Sequence, residues 1–301
     1  MTTTTPPARS APDGEPPTGS PQHAAGVRGP SLAALVALAL SEDLGDRGDV
    51  TTRITVPREL TARASVVSRA SGVFAGRAVA DEVLRQCGLD GSWHLDDGAA
   101  VTPGSAVVTI AGPAWNVLTA ERTLLNFTCR LSGIATLTRR FVEACAPALV
   151  LDTRKTTPAH RELEKAAVAA GGGTNHRHGL FDRVLVKDNH LALTGMSMTA
   201  AVDRARSEYP DLLIEVEADD LDGVRAAAEA GVDWILLDNM STADLREAVA
   251  VTGGRSRLEA SGGMTLDRAA EAARTGIDAI SVGALTHSAP SLDLGLDIVI
   301  G

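Results

Sequence analysis

The residues best able to do chemistry are concentrated between Asp152 and His190, in the stretch DTRKTTPAHRELEKAAVAAGGGTNHRHGLFDRVLVKDNH. It supplies Arg154, Lys155, His176, Arg177 and Lys187. Such a density of cations suits a small ligand carrying several anionic groups, because a guanidinium grips a carboxylate or phosphate through paired hydrogen bonds. His160, His176, His178 and His190 invite a zinc reading. They lack ligand spacing on a helix and have no cysteine partners, which argues against it. Further along, Glu217 and Asp238 form a pair of carboxylates. Facing a phosphate-rich ligand they would repel it unless a divalent cation intervened, and magnesium is the natural one. They could also stabilise positive charge forming on a sugar ring, and either acid alone could be a salt bridge to a nearby Lys or Arg. EASGGM, holding Ser261, Gly262 and Gly263, runs into a helical pattern with Thr265 as its N-cap, and SVGALTHSAPSLD places a second glycine turn at Gly283. Backbone N–H groups exposed at such turns bind a phosphate monoester.

These residues need elements that bring them together. Apolar strands recur as ALVLDT, RVLVKD, LLIEVEA, WILLDN, RLEAS and AISVG, separated by amphipathic helices such as LDGVRAAAEAG, TADLREAVAV and LDRAAEAARTG. That alternation is the signature of a parallel βα structure. The strands finish in Arg154 and Lys155, Lys187, Glu217, Asp238, Ser261 and Gly283. In a βα barrel those ends surround one mouth, where the active site lies. Upstream, strands and helices mix without regular alternation. Ser31 to Leu44 reads as a helix ended near Gly45, strands flank the Ser71-Gly72 turn, Arg77 to Gln86 is helical, and WHLDDGAAVTPGSAVVTIAG gives short strands. This is a small α+β domain. DGAAVTPGSAV has the flavour of a lipoyl or biotinyl carrier, but no lysine precedes Lys155, so it is scaffold. From Trp115 to Ala146 the pattern is helix, with a break expected around Ser132-Gly133.

The chain has 301 residues, 44% hydrophobic and 22% charged, with a formal net charge of −10. The acidic balance does not suggest nucleic-acid binding. Cys87, Cys129 and Cys145 are odd in number and widely spaced, so neither a disulfide framework nor a cysteine zinc site is expected. Residues 1–30 are rich in Thr, Pro, Gly and Ser and read as a disordered tail. LAALVALAL is far too short to span a bilayer and follows a polar tail, so neither a membrane span nor a signal peptide is expected, and the cytoplasm is the expected compartment.

DTRKTTP, GGGTNHRHGL, VKDNH, EVEA, LLDNM, EASGG and SVGALTHSAPSLD, with AERTLLN…LSGIAT and ALSEDLGDRGDVTT upstream, resemble quinolinate phosphoribosyltransferase, the carboxylating nicotinate-nucleotide pyrophosphorylase. The resemblance runs from about Leu32 to Ile298. It departs at Ala159-His160 and Ala166, where the family tends to have Gly-Leu and Tyr. It implies an α/β fold: an N-terminal α/β sandwich over 31–127, an incomplete βα (TIM-like) barrel over 128–285, and 286–301 returning to the first domain. It also implies a homodimer whose N-terminal domains cover the partner's barrel mouth, with Arg122 reaching across. On this resemblance Thr153, Arg154, His176 and Arg177 would face quinolinate and Lys155 the reacting centre. Lys187, Glu217 and Asp238 would hold magnesium, pyrophosphate and ribose of phosphoribosyl pyrophosphate. Ser261, Gly262, Gly263 and Gly283 would seat the 5-phosphate. The implied activity is formation of nicotinate mononucleotide. The alternatives are a phosphoribosyltransferase acting on nicotinate or another acidic heterocycle, a barrel lyase using Lys187 as a Schiff base, and a non-catalytic nucleotide-binding regulator.

Overall fold

A computed structural model describes residues 30–299. The expected disordered tail therefore lies, but for Pro30, outside the described residues. In chain order the elements are α1 (Leu32–Leu44), α2 (Val50–Thr55), β1 (Thr61–Ser68), β2 (Gly72–Val73), α3 (Arg77–Gln86), β3 (Asp90–Trp93), β4 (Ala100–Val101), β5 (Ala106–Pro113) and α4 (Ala114–Cys145). They continue with β6 (Leu149–Leu151), α5 (Arg161–Ala170), β7 (Val184–Val186), α6 (Asp188–Thr194), α7 (Met198–Glu208), β8 (Ile214–Ala218) and α8 (Leu221–Ala230). Last come β9 (Trp234–Asp238), α9 (Thr242–Thr252), β10 (Arg257–Ser261), α10 (Leu266–Ala273), β11 (Ala279–Ser281), α11 (Ala284–His287) and β12 (Leu294–Val299).

Helix α1 starts where Ser31 Oγ accepts the Ala34 N–H (3.2 Å) and stops at Gly45, whose φ of 49° lets the backbone turn back. The N-terminal sheet has the order β12-β1-β5-β3, with β1 antiparallel to both neighbours. Its inward side chains, among them Ala64, Val66, Val108 and Ile110, pack under α3 and α4. Each such burial of a Val or Ile stabilises the fold by about 1.5–3 kcal/mol relative to exposure. Strand β12 closes this sheet from the far end of the chain, pairing Ala64 with Ile298 and Ser68 with Leu294.

The second sheet is six-stranded and parallel, in the order β6-β11-β10-β9-β8-β7. Its strands are rich in apolar residues because helices pack on the outside, though β8 and β10 also carry charged side chains. At the N-terminal end of this sheet, aspartates tie neighbouring strands. Asp233 Oδ2 accepts the Ile214 N–H (2.8 Å) and Asp278 Oδ2 accepts the Leu258 N–H (2.8 Å), while the aspartates' own N–H groups donate to the Ile214 and Leu258 carbonyls. Asp278 thereby joins β10 to the start of β11.

Helix α4 corrects one expectation. It runs unbroken through Ser132-Gly133, past residue 127, and packs against both sheets. Gly133 is needed for contact, since a Cβ there would lie 2.1 Å from the Pro290 carbonyl oxygen. The glycine lets the returning segment cross the helix closely instead of ending it. The three cysteines are free. Among the described residues, no helix is long and apolar enough to cross a membrane.

Candidate active site

The six parallel strands bring their C-terminal ends to one mouth, with Glu217 next to last on β8 and Asp238 and Ser261 finishing β9 and β10. Lys187 follows β7 directly, and its Nζ is ion-paired with Glu217 Oε2. Asp238 Oδ2 accepts from the Asn239 side-chain amide (2.8 Å). Asn239 itself is left-handed, at φ 56°, and its N–H donates to the Ser261 carbonyl (3.0 Å), which locks the β9 and β10 ends together. The next residue on the β10 side has to be glycine. Gly262 has φ +95°, and a Cβ would stand 2.1 Å from Asn239 Oδ1. Thr265 then caps α10 by accepting the Arg268 N–H. Beyond β11, a Cβ on Gly283 would come 3.0 Å from Lys155 Cδ, so the lysine stem lies directly against this turn. Thr286 Oγ1 donates to the Lys155 carbonyl (2.8 Å), and Thr153 Oγ1 accepts the Lys155 N–H (3.0 Å). Thr286 is a support that spacing alone did not single out.

Arg154 and Lys155 are exposed at the mouth. Arg177 is partly buried, and burial, then the charge of Arg154, lowers its pKa. Guanidiniums within each other's field could together take a ligand with more than one negative charge. His176 stands apart from them. It is 8% exposed, with its ring turned into the barrel: Nε2 lies 3.1 Å from Glu215 and 3.2 Å from Glu259. Burial disfavours a charged ring, while the carboxylates of Glu215 and Glu259 facing Nε2 pull its pKa upward. The Arg177 N–H donates to Nδ1 at 2.8 Å, which opposes that upward pull and keeps Nδ1 without a proton, so the ring is neutral with its one proton on Nε2, toward the glutamates.

Glu215 and Glu259 escaped the sequence reading. The available signal was their place two residues before Glu217 and Ser261, which puts them on the same inward face one step deeper. Asp152 and Lys165 were missed as well. Both are fully buried and ion-paired, and they grip the His176 peptide: its N–H donates to Asp152 Oδ1 (2.9 Å) and its carbonyl accepts from Lys165 Nζ (3.0 Å).

Arg122 lies on α4, exposed, and among the described residues no hydrogen bond or ion pair joins it to the mouth of its own chain. A cavity of about 430 Å³ lies beside the mouth, between α1, α4 and the start of α5, lined by Glu42, Asp43, Asn126, Arg130, Thr157 and His160. None of the strand-end residues lines it. The expected departure from the family leaves a trace here. Ala159 adopts φ 65°, a conformation that favours glycine, and His160 stacks on Phe127 at 6.0 Å.

Comparison with known proteins accounts for this arrangement. The profile of quinolinate phosphoribosyl transferase, C-terminal domain, matches residues 134–297, and that of its N-terminal domain matches residues 49–132. The chain belongs to the quinolinate phosphoribosyltransferase family. It is 44% identical over 269 residues to the nicotinate-nucleotide pyrophosphorylase [carboxylating] of Mycobacterium leprae, covering 86% of this chain and 94% of that one. A chloroplastic relative of the same name from Oryza sativa subsp. japonica is 41% identical, covering 89% and 77%. Among solved structures, NadC from Streptococcus pyogenes superposes with a TM-score of 0.84 at 38% identity, over 88% of this chain and 95% of that one. The α/β architecture expected from the sequence, sheet domain then parallel-strand domain, is the fold of these family members.

Carboxylates at the ends of β8 and β9 fit magnesium by donor type, since that ion takes hard oxygen ligands and keeps room for waters and phosphates. Among the described residues, no third His, Cys, Asp or Glu joins Glu217 and Asp238 in a cluster.

Proposed function

We infer that this chain transfers the phosphoribosyl group of phosphoribosyl pyrophosphate to quinolinate, producing nicotinate mononucleotide, pyrophosphate and carbon dioxide. The observation that carries the reading is a single mouth uniting the exposed Arg154 and Lys155, two carboxylates and a glycine turn opening a helix, in a chain of this family.

Arg154 and Arg177 take the two carboxylates of quinolinate, with Thr153 beside them. Ser261, Gly262, Gly263 and Gly283 seat the 5-phosphate, on the positive end of α10. The pyridine nitrogen attacks the anomeric carbon as the bond to pyrophosphate breaks. Positive charge grows on the ribose ring, where Glu217 and Asp238 stabilise it, while Lys155 and Lys187 take up the negative charge of the departing pyrophosphate. Glu217 and Asp238 would hold magnesium, which supplies charge neutralisation for the phosphate oxygens when bound. Once the ring nitrogen is quaternary, the adjacent carboxylate leaves as carbon dioxide. Its bonding electron pair stays on the ring carbon, which then takes a proton. The protein's share is positioning and charge complementarity.

The Schiff-base alternative loses support at Lys187, which is 42% exposed in its side chain and paired with Glu217. A lysine nucleophile needs the opposite, a desolvated pocket or a neighbouring cation. The nicotinate alternative leaves the second guanidinium without a partner. We assign the working unit as a homodimer in which Arg122 completes the partner's mouth, a reading supported by its exposure and its lack of a partner within its own chain's mouth. The cytoplasm is the proposed compartment, supported by three free cysteines.

Purified protein incubated with magnesium, phosphoribosyl pyrophosphate and either acid tests the activity. Equal amounts of nicotinate mononucleotide and carbon dioxide should form from quinolinate. Turnover of nicotinate alone would refute the substrate assignment. For the shared site, inactive Arg122→Ala mixed with inactive Lys187→Ala should regain activity on subunit exchange. No recovery after proven exchange would place Arg122 outside the partner's site.

A further inference from the structure

Two carboxylates lie one layer below the mouth, and the reaction as described does not use them. Alternate side chains of β8 and β10 face the barrel interior, so Glu215 sits beneath Glu217 and Glu259 beneath Ser261. Both are 0% exposed. No hydrogen bond of good geometry reaches Glu215 Oε1 or either oxygen of Glu259. Burial, then the charge of Glu215, raises the pKa of Glu259. Replacing buried charged groups by apolar side chains of similar volume is often neutral or stabilising, so stability alone is a weak reason for two carboxylates here.

Their neighbours suggest one. His176 Nε2 lies between them, at 3.1 Å and 3.2 Å. Asp152 and Lys165 hold the two faces of the His176 peptide, and the ring's Nδ1 accepts the Arg177 N–H at 2.8 Å. The residue carrying a mouth guanidinium is therefore built onto an imidazole anchored from below. A divalent ion among His176, Glu215 and Glu259 is the competing idea, since their ligand atoms lie within 4.8 Å of one another. Arg183 stands against it. Its Nη1 is already 3.1 Å from Glu215 Oε2 and 3.4 Å from His176 Nε2, where it supplies the cation that a metal would bring.

We propose that Glu215 and Glu259 are positioning residues for the pyridine dicarboxylate: they hold the His176 ring inward, and its Nδ1 sets the Arg177 peptide so that Arg177 stands beside Arg154 at the mouth. This rests on the assignment of Arg177 to quinolinate made above. Neither glutamate touches substrate. Each acts through the histidine.

The test is a double-mutant cycle read by steady-state kinetics. Glu259→Ala should raise KM for quinolinate on the order of 10- to 100-fold, the range for a binding group displaced by about 1 Å. KM for phosphoribosyl pyrophosphate should stay within about twofold, because the phosphate turn is held separately by Asn239 and Thr265. Glu259→Gln, which keeps an oxygen for the Nε2–H, should recover most of the loss. Adding Glu259→Ala to Arg177→Ala should cost nothing further. Independent, additive losses would overturn the proposal while leaving Arg177 in place, as would an unchanged quinolinate KM or an equal rise in both KM values. No effect of Arg177→Ala alone would sink the assignment of Arg177 and the proposal with it. Should Glu259→Ala not fold, His176→Gln takes its place in the same cycle. A stoichiometric zinc or magnesium ion in the purified protein, lost with Glu259→Gln, would make the cluster a metal centre and overturn the proposal.

Discussion

The two ends of the parallel sheet use acidic side chains in opposite ways. At the N-terminal end, Asp233 and Asp278 spend their carboxylates on backbone N–H groups of the adjoining strands, two residues tying neighbouring strands by the same pattern. At the C-terminal end, Glu217 and Asp238 accept nothing from a strand. Glu217 faces a lysine and Asp238 a side-chain amide, both replaceable partners at an open mouth. Acids that satisfy the backbone hold the barrel together, while acids left for mobile partners are available to a ligand. The same residue type is therefore consumed by the backbone at one end and left available at the other.

The sharpest way to break this comparison is to remove the mouth acids. Glu217→Ala and Asp238→Ala should each lower kcat/KM on the order of 10²- to 10³-fold, the loss seen when one preorganised electrostatic group is deleted, and leave the urea midpoint unchanged. Near-normal turnover would mean that the mouth acids are structural after all. Gly262→Ala should act next in size. Its Cβ meets Asn239 Oδ1 at 2.1 Å in a backbone of φ +95°. Strain of about 1–3 kcal/mol should push the turn away from the 5-phosphate and raise KM for phosphoribosyl pyrophosphate about tenfold. An unaltered KM would remove this turn from the phosphate site. The smallest effect belongs to the other end. Asp233→Ala and Asp278→Ala should each cost about 1 kcal/mol in denaturant unfolding, with turnover per folded molecule unchanged. A fall in kcat from either would erase the distinction between the ends.

Much of the molecule was legible in the sequence. All six strands of the parallel sheet fall where apolar runs place them, because strands covered by helices are enriched in apolar residues. The residues that end those strands were legible for the same reason, a charge at the edge of an apolar run being conspicuous. The helix expected from Ser31 begins and ends at the Ser and Gly that mark it. Gly133 misled because glycine weakens a helix in general, and only the Pro290 carbonyl packed against it shows why this helix continues. His176 counted as one cation among several in its stretch. Its ring turns into the barrel, away from the exposed Arg154 and Lys155, and lies between Glu215 and Glu259, dozens of residues away on two other strands.

The sequence by itself determined the class of fold, the family, and the chemical types gathered at the strand ends. These follow from periodicity and local residue identity, which need no knowledge of what lies across the barrel. The tertiary structure alone decided which charges are free and which are consumed: Lys187 against Glu217, Lys165 against Asp152, and His176 between two glutamates. Charge pairing falls off with distance in space and is indifferent to separation along the chain, so only the folded barrel could sort the cations that hold it together from those that face the ligand.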